Sequence, residues 1–264
     1  MMNRSRWLIL TLAAVVAERS RAAEALQSTS DQLREAVTQL EAFSHAISHD
    51  LRSPIGTVLN CSSIIEEDYG SRIGPDGVQL LRRIEAAAES ATNLLNHLTQ
   101  FARAGPQQGE REVVDMTALA REAYAEVAIT DHEIGGVRFE LGELPPAVGS
   151  AALLLRVFRN LISNAVKYTR GRPHRHIEVS GVAGVAENSY FVTDNGIGFD
   201  NSDGEALFEP FRRGRSAKGF EGSGLGLAIV AKIVRKHGGR IWAESDGSTG
   251  ARFSFTLKND ENGS

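Results

Sequence analysis

From Leu26 onward, apolar side chains recur at alternating spacings of four and three: Leu33, Val37, Leu40, Ser44, Ile47, Leu51, Pro54, Val58, Cys61 and Ile65. This is a heptad seam with two weak positions. A second run, Leu80, Ile84, Ala87, Ala91, Leu94, Leu98 and Phe101, keeps the alternation without a miss, and the segment Tyr69 to Gly77 between them holds three glycines and a proline. The pair predicts an antiparallel helical hairpin. A lone hairpin cannot bury both seams, so the economical assembly is a homodimer whose two hairpins make a four-helix bundle. Gly105-Pro106 and the polar Gln107 to Gly109 then end the second helix and serve as a linker.

Beyond the linker the period changes. Short β-rich runs at Val137 to Leu141, Ile177 to Gly181, Tyr190 to Thr193, Arg240 to Ala243 and Arg252 to Leu257 alternate with helical stretches at Met116 to Val127, Ala151 to Tyr168 and Leu225 to His237. Ser150 is placed to cap the second of these helices. The expected fold class is α+β: a helical hairpin over residues 31–106, then an α/β domain over 107–258. Residues 1–30 form a short apolar segment with a helical linker, and 259–264 carry no sign of order. No internal repeat is visible.

Composition narrows the function classes. The chain has 264 residues, 42% hydrophobic and 23% charged, which excludes disorder and collagen-like repetition. A formal charge of −4 implies no broad basic surface and argues against nucleic acid as a partner. The single cysteine, Cys61, makes no internal disulfide and belongs to no zinc spacing, so a reducing compartment is expected. Of the 26 glycines, 12 fall between Asp194 and Gly250, where a ligand is expected.

Arg4 and Arg6 precede an apolar run from Trp7 to Ala17, followed at once by Glu18 and Arg19. The opening looks like a signal peptide's, but the run is far short of the ~20 residues a bilayer span needs. Two readings stand: the cytoplasmic end of a longer membrane helix, or an apolar helix that packs on a partner or lies on the membrane surface. Either gives a cytoplasmic protein in which residues 7–17 could tether it to the inner face of the membrane.

His49 stands in F-S-H-A-I-S-H-D-L-R-S-P, inside the first heptad helix. With Ser44 and Leu51 at a positions it takes f, pointing away from the bundle core. Asp50 beside it could hold one ring nitrogen protonated and leave the other as a nucleophile. Pro54 removes one helical hydrogen bond and is expected to bend the helix just past the site. For His49 taken alone the rival reading is a solvated histidine. His45, one turn earlier, has no third metal ligand nearby and reads as solvated.

Three further patterns carry chemistry. Asn160, Asn164, Lys167 and Tyr168 share the polar side of a helix whose other face is Leu154, Leu155, Phe158, Leu161 and Ile162. An amide oxygen suits Mg²⁺, an ammonium balances phosphate, and a tyrosine can flank a base; the rival is an ordinary amphipathic helix. D-N-G-I-G, residues 194 to 198, follows an apolar strand, with an acceptor in Asp194 and two glycines for a tight turn. G-S-G-L-G-L, residues 222 to 227, opens a helix, so its N–H groups and the helix dipole form an anion site, although it is neither a Walker loop nor a dinucleotide fingerprint. Between the two lie Phe208 and Phe211, then Arg212, Arg213, Arg215 and Lys218, which read as a mobile cationic lid.

In order and spacing these patterns resemble the two-component sensor histidine kinases over about residues 31 to 258. S-H-D-L-R-S-P is similar to the family's phosphoacceptor box, N-L-I-S-N-A-V-K-Y to its N box, D-N-G-I-G to its first glycine box, L-F-E-P-F to its F box and G-S-G-L-G-L to its second. The resemblance implies a dimerisation and phosphotransfer hairpin followed by an ATP-binding α/β sandwich of the gyrase, Hsp90 and histidine-kinase type. It makes His49 the phosphoacceptor, Asp50 its acid/base partner and Asn164 the Mg²⁺ ligand. Asn160 and Lys167 become phosphate contacts, and Tyr168 and Asp194 nucleotide contacts, with Asp194 reading the adenine amino group. Gly196, Gly198, Gly222, Gly224, Leu225 and Gly226 shape the pocket and lid, joined by Phe208 and Phe211 of the F box. The implied cofactors are ATP and Mg²⁺, and the implied partner is a separate response regulator with a phosphoacceptor aspartate.

Two departures from the family pattern stand out. Ser53 replaces the Thr or Asn often found four residues after the phosphoacceptor, which puts phosphatase activity in question, and Ser150 replaces a common Asp at the helix start. Two rival functions are a nucleotide-gated dimeric scaffold or pseudokinase, and a clamp ATPase of the gyrase and Hsp90 type. Intact motifs weigh against the first, and an outward histidine on a hairpin has no purpose in the second.

Overall fold

The structure, a computed structural model, describes residues 4–103, 111–130, 134–217, 219–220 and 222–259, without most side chains before Ala46 and without those of 97 and 100–103. The expected linker at 105–109, the tail beyond Asn259, Lys218 and the seam side chains of Leu33, Val37, Leu40, Ser44 and Phe101 lie outside the described residues.

The first element, α1 (Arg4–Arg103), is helical except at Gly74, whose φ of 71° and ψ of 177° fold it into two arms. Of the three glycines in the predicted turn, Gly74 carries the reversal, because this dihedral pair is open only to a residue without Cβ. Pro75 follows as the first residue of the second arm, where its missing N–H costs nothing. Arg52 donates to Asn96 at 3.2 Å, Ser63 to Glu85 at 3.5 Å and Arg82 to Glu66 at 3.2 Å. Each pair lies symmetrically about Gly74, so the arms are antiparallel in one register. Pro54 lies inside the first arm, where the backbone keeps helical dihedrals.

Ser48, Ser62, Leu81, Ala88, Leu95 and Thr99 are buried along the arms. These are not the seam residues. Leu51, Val58, Ile65, Leu80, Ile84 and Leu94, all on the seam, stay between 39% and 60% exposed. The buried row runs one residue C-terminal of the seam: Ser62 after Cys61, Leu81 after Leu80, Ala88 after Ala87, Leu95 after Leu94. A row of hydroxyl and apolar side chains therefore closes the hairpin while the apolar seam beside it remains open in the single chain. Among the described residues no helix is long and apolar enough to cross a membrane.

The second part comprises β1 (Glu112–Val114), α2 (Met116–Thr130), β2 (Val137–Leu141), β3 (Ala147–Gly149), α3 (Ala151–Tyr168), β4 (Arg175–Val182), β5 (Glu187–Asp194), α4 (Gly226–Lys236), β6 (Ile241–Ser245) and β7 (Ala251–Lys258). Five strands form a sheet in the order β2-β4-β5-β7-β6, with β2 parallel to β4 and the other pairs antiparallel. β1 and β3 make a separate two-stranded ribbon, which the sequence did not reveal because three residues are too short for an alternation signal.

Alternation decides the layers. Ile177, Val179, Tyr190, Val192, Phe253, Phe255 and Leu257 point to one face and share a single core with Leu119 and Ala123 of α2, Phe158 and Leu161 of α3 and Ile229 and Ile233 of α4. Each fully buried Leu, Ile or Phe contributes roughly 1.5–3 kcal/mol. The result is an α/β sandwich following a helical hairpin. Ser150 stands at the N-cap of α3 with extended backbone, but its side chain makes no cap bond. That corrects the capping expectation: the backbone N–H of Ser150 donates instead to His237 Nε2 at 3.2 Å.

Candidate active site

His49 follows the buried Ser48 on the first arm, so the helix turns it outward, and 76% of its side chain is exposed. Its Nδ1 lies 3.3 Å from Asp50 Oδ1. With the proton on Nδ1 donated to that carboxylate, the Nε2 lone pair faces solvent. The side chain of His45 lies outside the described residues.

In the sandwich, a cavity of about 50 Å³ opens between α3 and the ends of β5 and β7. Tyr168, Asp194 and Gly198 line it together with Ile197, Phe199, Leu207, Leu227, Ala251 and Phe253. Asp194 is buried at the end of β5 and accepts the Gly196 N–H at 2.8 Å. Burial pushes its carboxyl up to about 6, against the lowering effect of backbone bonds at Gly196 and Ala251 and of the Arg172 charge. A single buried acceptor in an otherwise apolar slot suits a flat heterocycle with one amino group. Tyr168 is raised by its burial and by the Asp194 charge, with Arg213 opposing.

The glycines are fixed by close approach. The Ile197 N–H donates to the Tyr168 carbonyl at 3.1 Å, which binds the first glycine loop to the end of α3. A Cβ on Gly196 would lie 2.5 Å from that same carbonyl oxygen. The second glycine loop runs along the polar side of α3 in the opposite direction: Gly226 faces Asn160 Oδ1 and Gly222 faces Lys167 Nζ, at 3.0 and 3.3 Å from the positions their Cβ atoms would take. Asn164 lies between those two contacts in sequence, half-buried. Asn160, Asn164, Lys167 and the second glycine loop as far as Gly226 thus border the cavity without lining it, and Leu227 is the residue of that motif that lines it. Asn164 offers an amide oxygen there, a fitting donor for Mg²⁺, which is ordinarily held by one or two protein groups plus phosphate oxygens.

Several expected residues sit elsewhere. Leu207 lines the cavity, whereas Phe208 packs on the core, and Phe211 is 61% exposed with φ of 63° and its N–H on the Gly224 carbonyl. Leu225 is wholly buried, and its neighbour Leu227 reaches the cavity instead. The expected cationic lid is engaged internally: Arg212 pairs with Glu209, Arg215 with Asp203, and Arg213 donates to the carbonyls of Ala217 and Phe220. Phe220 in turn meets the Tyr168 ring edge-on at 5.3 Å. Ala251 and Phe253, missed from sequence, were legible in principle as the inward residues of β7. No sequence signal marked Phe199 or Ser245, whose hydroxyl accepts the Phe199 N–H at 3.0 Å and donates to the Gly250 carbonyl.

Comparison with known proteins adds the family. Residues 39–107 match the His Kinase A (phospho-acceptor) domain, and residues 149–261 match the histidine kinase-, DNA gyrase B- and HSP90-like ATPase. The methanogenesis regulatory histidine kinase FilI of Methanothrix harundinacea is 34% identical over 90% of this chain and 26% of its own length. The sensor protein CutS of Streptomyces coelicolor is 30% identical over 86% of this chain and 55% of its own. Full-length ShkA in complex with AMPPNP shares the fold, with a TM-score of 0.61 at 24% identity over 82% of this chain and 45% of that one. The chain therefore spans between about a quarter and about half of the curated relatives described here.

Proposed function

The chain carries both domains of the sensor histidine kinases, phospho-acceptor helices and ATPase sandwich, and on that premise we propose that it is an ATP-dependent protein-histidine kinase of a two-component system. The observation that carries this reading is the exposed imidazole of His49, with Nδ1 engaged by Asp50, on the same chain as a buried carboxylate in an apolar, glycine-walled cavity. The adenine occupies the slot beside Asp194, whose ionised carboxylate accepts from the amino group, and the phosphates lie along Asn160, Asn164, Lys167 and the second glycine loop. The Asn164 amide oxygen would hold Mg²⁺ there, which would supply neutralisation of the phosphate charge.

Nε2 of His49 attacks the γ-phosphorus in line; the N–P bond forms, the bond to the β-phosphate oxygen breaks, and ADP leaves. Asp50 holds the Nδ1 proton and stabilises the positive ring as it develops. The phosphoryl group then passes to an aspartate carboxylate on a separate response regulator, with Nε2 as the leaving group. The open seam of Leu51, Val58, Ile65, Leu80, Ile84 and Leu94 supplies the face on which two hairpins pack as a homodimer. Residues 7–17 would supply membrane contact as a surface-lying apolar helix.

The test is incubation of the purified chain with γ-labelled Mg²⁺-ATP. A protein-bound label lost in acid and kept in alkali is the expected phosphoramidate. A label stable to acid, or none at all, refutes the reading.

A further inference from the structure

Arg172 lies just beyond α3, outside every motif discussed so far. One of its terminal nitrogens, Nη2, donates to two carbonyls, that of Gly196 at 2.7 Å and that of Ser248. Both ends of this bridge close on Asp194. Gly196 is two residues past it and gives its own N–H to Asp194 Oδ1. Ser248 sits in the turn after β6, which Asp246 shapes by accepting the N–H groups of Ser248 and Thr249 at 2.9 and 2.7 Å. That turn ends at Gly250, where a Cβ would come within 1.9 Å of the Asp194 carbonyl oxygen, and the next residue, Ala251, pairs with Asp194 across the sheet.

We propose that Arg172 is a positioning residue for nucleotide binding: it supplies both the backbone clamp and the positive charge that keep the Asp194 carboxylate an acceptor at the cavity wall. This rests on the reading that the cavity takes the adenine of ATP. Two ionisable side chains bear on Asp194: Arg172, after α3, and Tyr168, at the end of α3. Tyr168 is neutral at working pH, so Arg172 is the charged side chain that joins the backbone bonds at Gly196 and Ala251 in opposing the burial that pushes the carboxyl up to about 6. A bridge to two carbonyls could serve the loop alone. The charge distinguishes the two roles, because glutamine removes it and lysine keeps it, on an ammonium without the guanidinium's fixed planar geometry.

The experiment uses the whole chain labelled with ¹³C in the aspartate carboxyls. The Asp194 carboxyl is titrated without nucleotide, and Mg²⁺-ATP affinity is measured by calorimetry from pH 5 to 8, for the wild type, Arg172→Gln and Arg172→Lys. In Arg172→Gln the midpoint is expected to rise by about one pH unit. The pH-linked loss of Mg²⁺-ATP affinity should then be about threefold at pH 6.5, about tenfold at pH 5 and nearly absent at pH 8. Arg172→Lys should return the midpoint toward the wild type. An unmoved or lowered midpoint in Arg172→Gln overturns the proposal, as does an affinity loss equal at every pH, the mark of a loop brace only. Absence of Mg²⁺-ATP binding by the wild type overturns the nucleotide reading and this role with it, and the ligand-free titration tells that failure from a failure of the clamp.

Discussion

The imidazole of His237 joins the two helices that flank the cavity: its Nε2 accepts the Ser150 N–H at 3.2 Å, and its Nδ1 lies 2.8 Å from the Ile233 carbonyl. The two bonds require the neutral tautomer with the proton on Nδ1. Gly149 leaves room for the ring, since a Cβ there would come within 2.5 Å of it. The start of α3 is thus held by the end of α4 in place of a side-chain cap.

Stability should depend on pH through this contact. Burial depresses the His237 ring below its ordinary value, with Arg111 and Lys236 acting the same way and the Ile233 bond opposing. The unfolded chain therefore binds the proton more readily, so stability is complete above about pH 6.5 and falls as the pH drops toward the depressed folded value. Urea unfolding from pH 8 to 5.5 should show a steeper loss in the wild type than in His237→Gln, whose overall cost should be on the order of 1 kcal/mol. Parallel pH profiles for the two proteins would contradict this assignment.

Phosphorylation should follow His49 and its neighbour. His49→Gln is expected to bind Mg²⁺-ATP normally and incorporate no acid-labile phosphate, while His45→Gln retains most incorporation. Asp50→Asn should slow labelling by about 10²-fold or more without weakening nucleotide binding, since only the proton partner is lost. Label in His49→Gln would move the phosphoacceptor elsewhere.

Among the glycines, backbone geometry predicts opposite outcomes at two positions. At Gly224, φ is +71° and a Cβ would meet the backbone of Phe211 and Arg212 at 2.8 Å. Gly224→Ala should cost about 1–3 kcal/mol and weaken Mg²⁺-ATP binding. Gly56, inside a helical arm with nothing within 4 Å of its Cβ position, should gain roughly 0.5–1 kcal/mol as Gly56→Ala and leave binding untouched. Chemical denaturation and calorimetry on the two variants decide the matter; equal behaviour would undo the close-approach account.

On the hairpin, adjacent leucines should separate assembly from folding. Leu94 is 41% exposed on the seam, whereas Leu95 is 7% exposed on the row that closes the arms. Leu94→Glu combined with Leu80→Glu should give a helical monomer in sedimentation at micromolar concentration. Leu95→Ala should instead lower hairpin stability by about 2–5 kcal/mol. A dimer that survives both glutamates would place the interface on another face.

Some of this was legible along the chain because the signals are local. The limits of α3 follow from a 3.6-residue period, five strands from alternation, the outward direction of His49 from its place against the seam, and the glycine loops from composition and order. These features need only neighbours within a turn or a strand. The remainder depends on residues far apart in sequence. Which of two adjacent heptad rows closes the hairpin was set by the register about Gly74, and which F-box side chain enters the cavity, Leu207 rather than Phe208 or Phe211, was set by a backbone turn locked to Gly224. Ser150 found His237 instead of its own helix, and Arg172 acquired meaning only where the loops after β5 and β6 meet around Asp194. Periodicity says that a face will be buried; the partner that buries it, and the hydrogen bonds made there, follow from closing long loops, which no local pattern encodes.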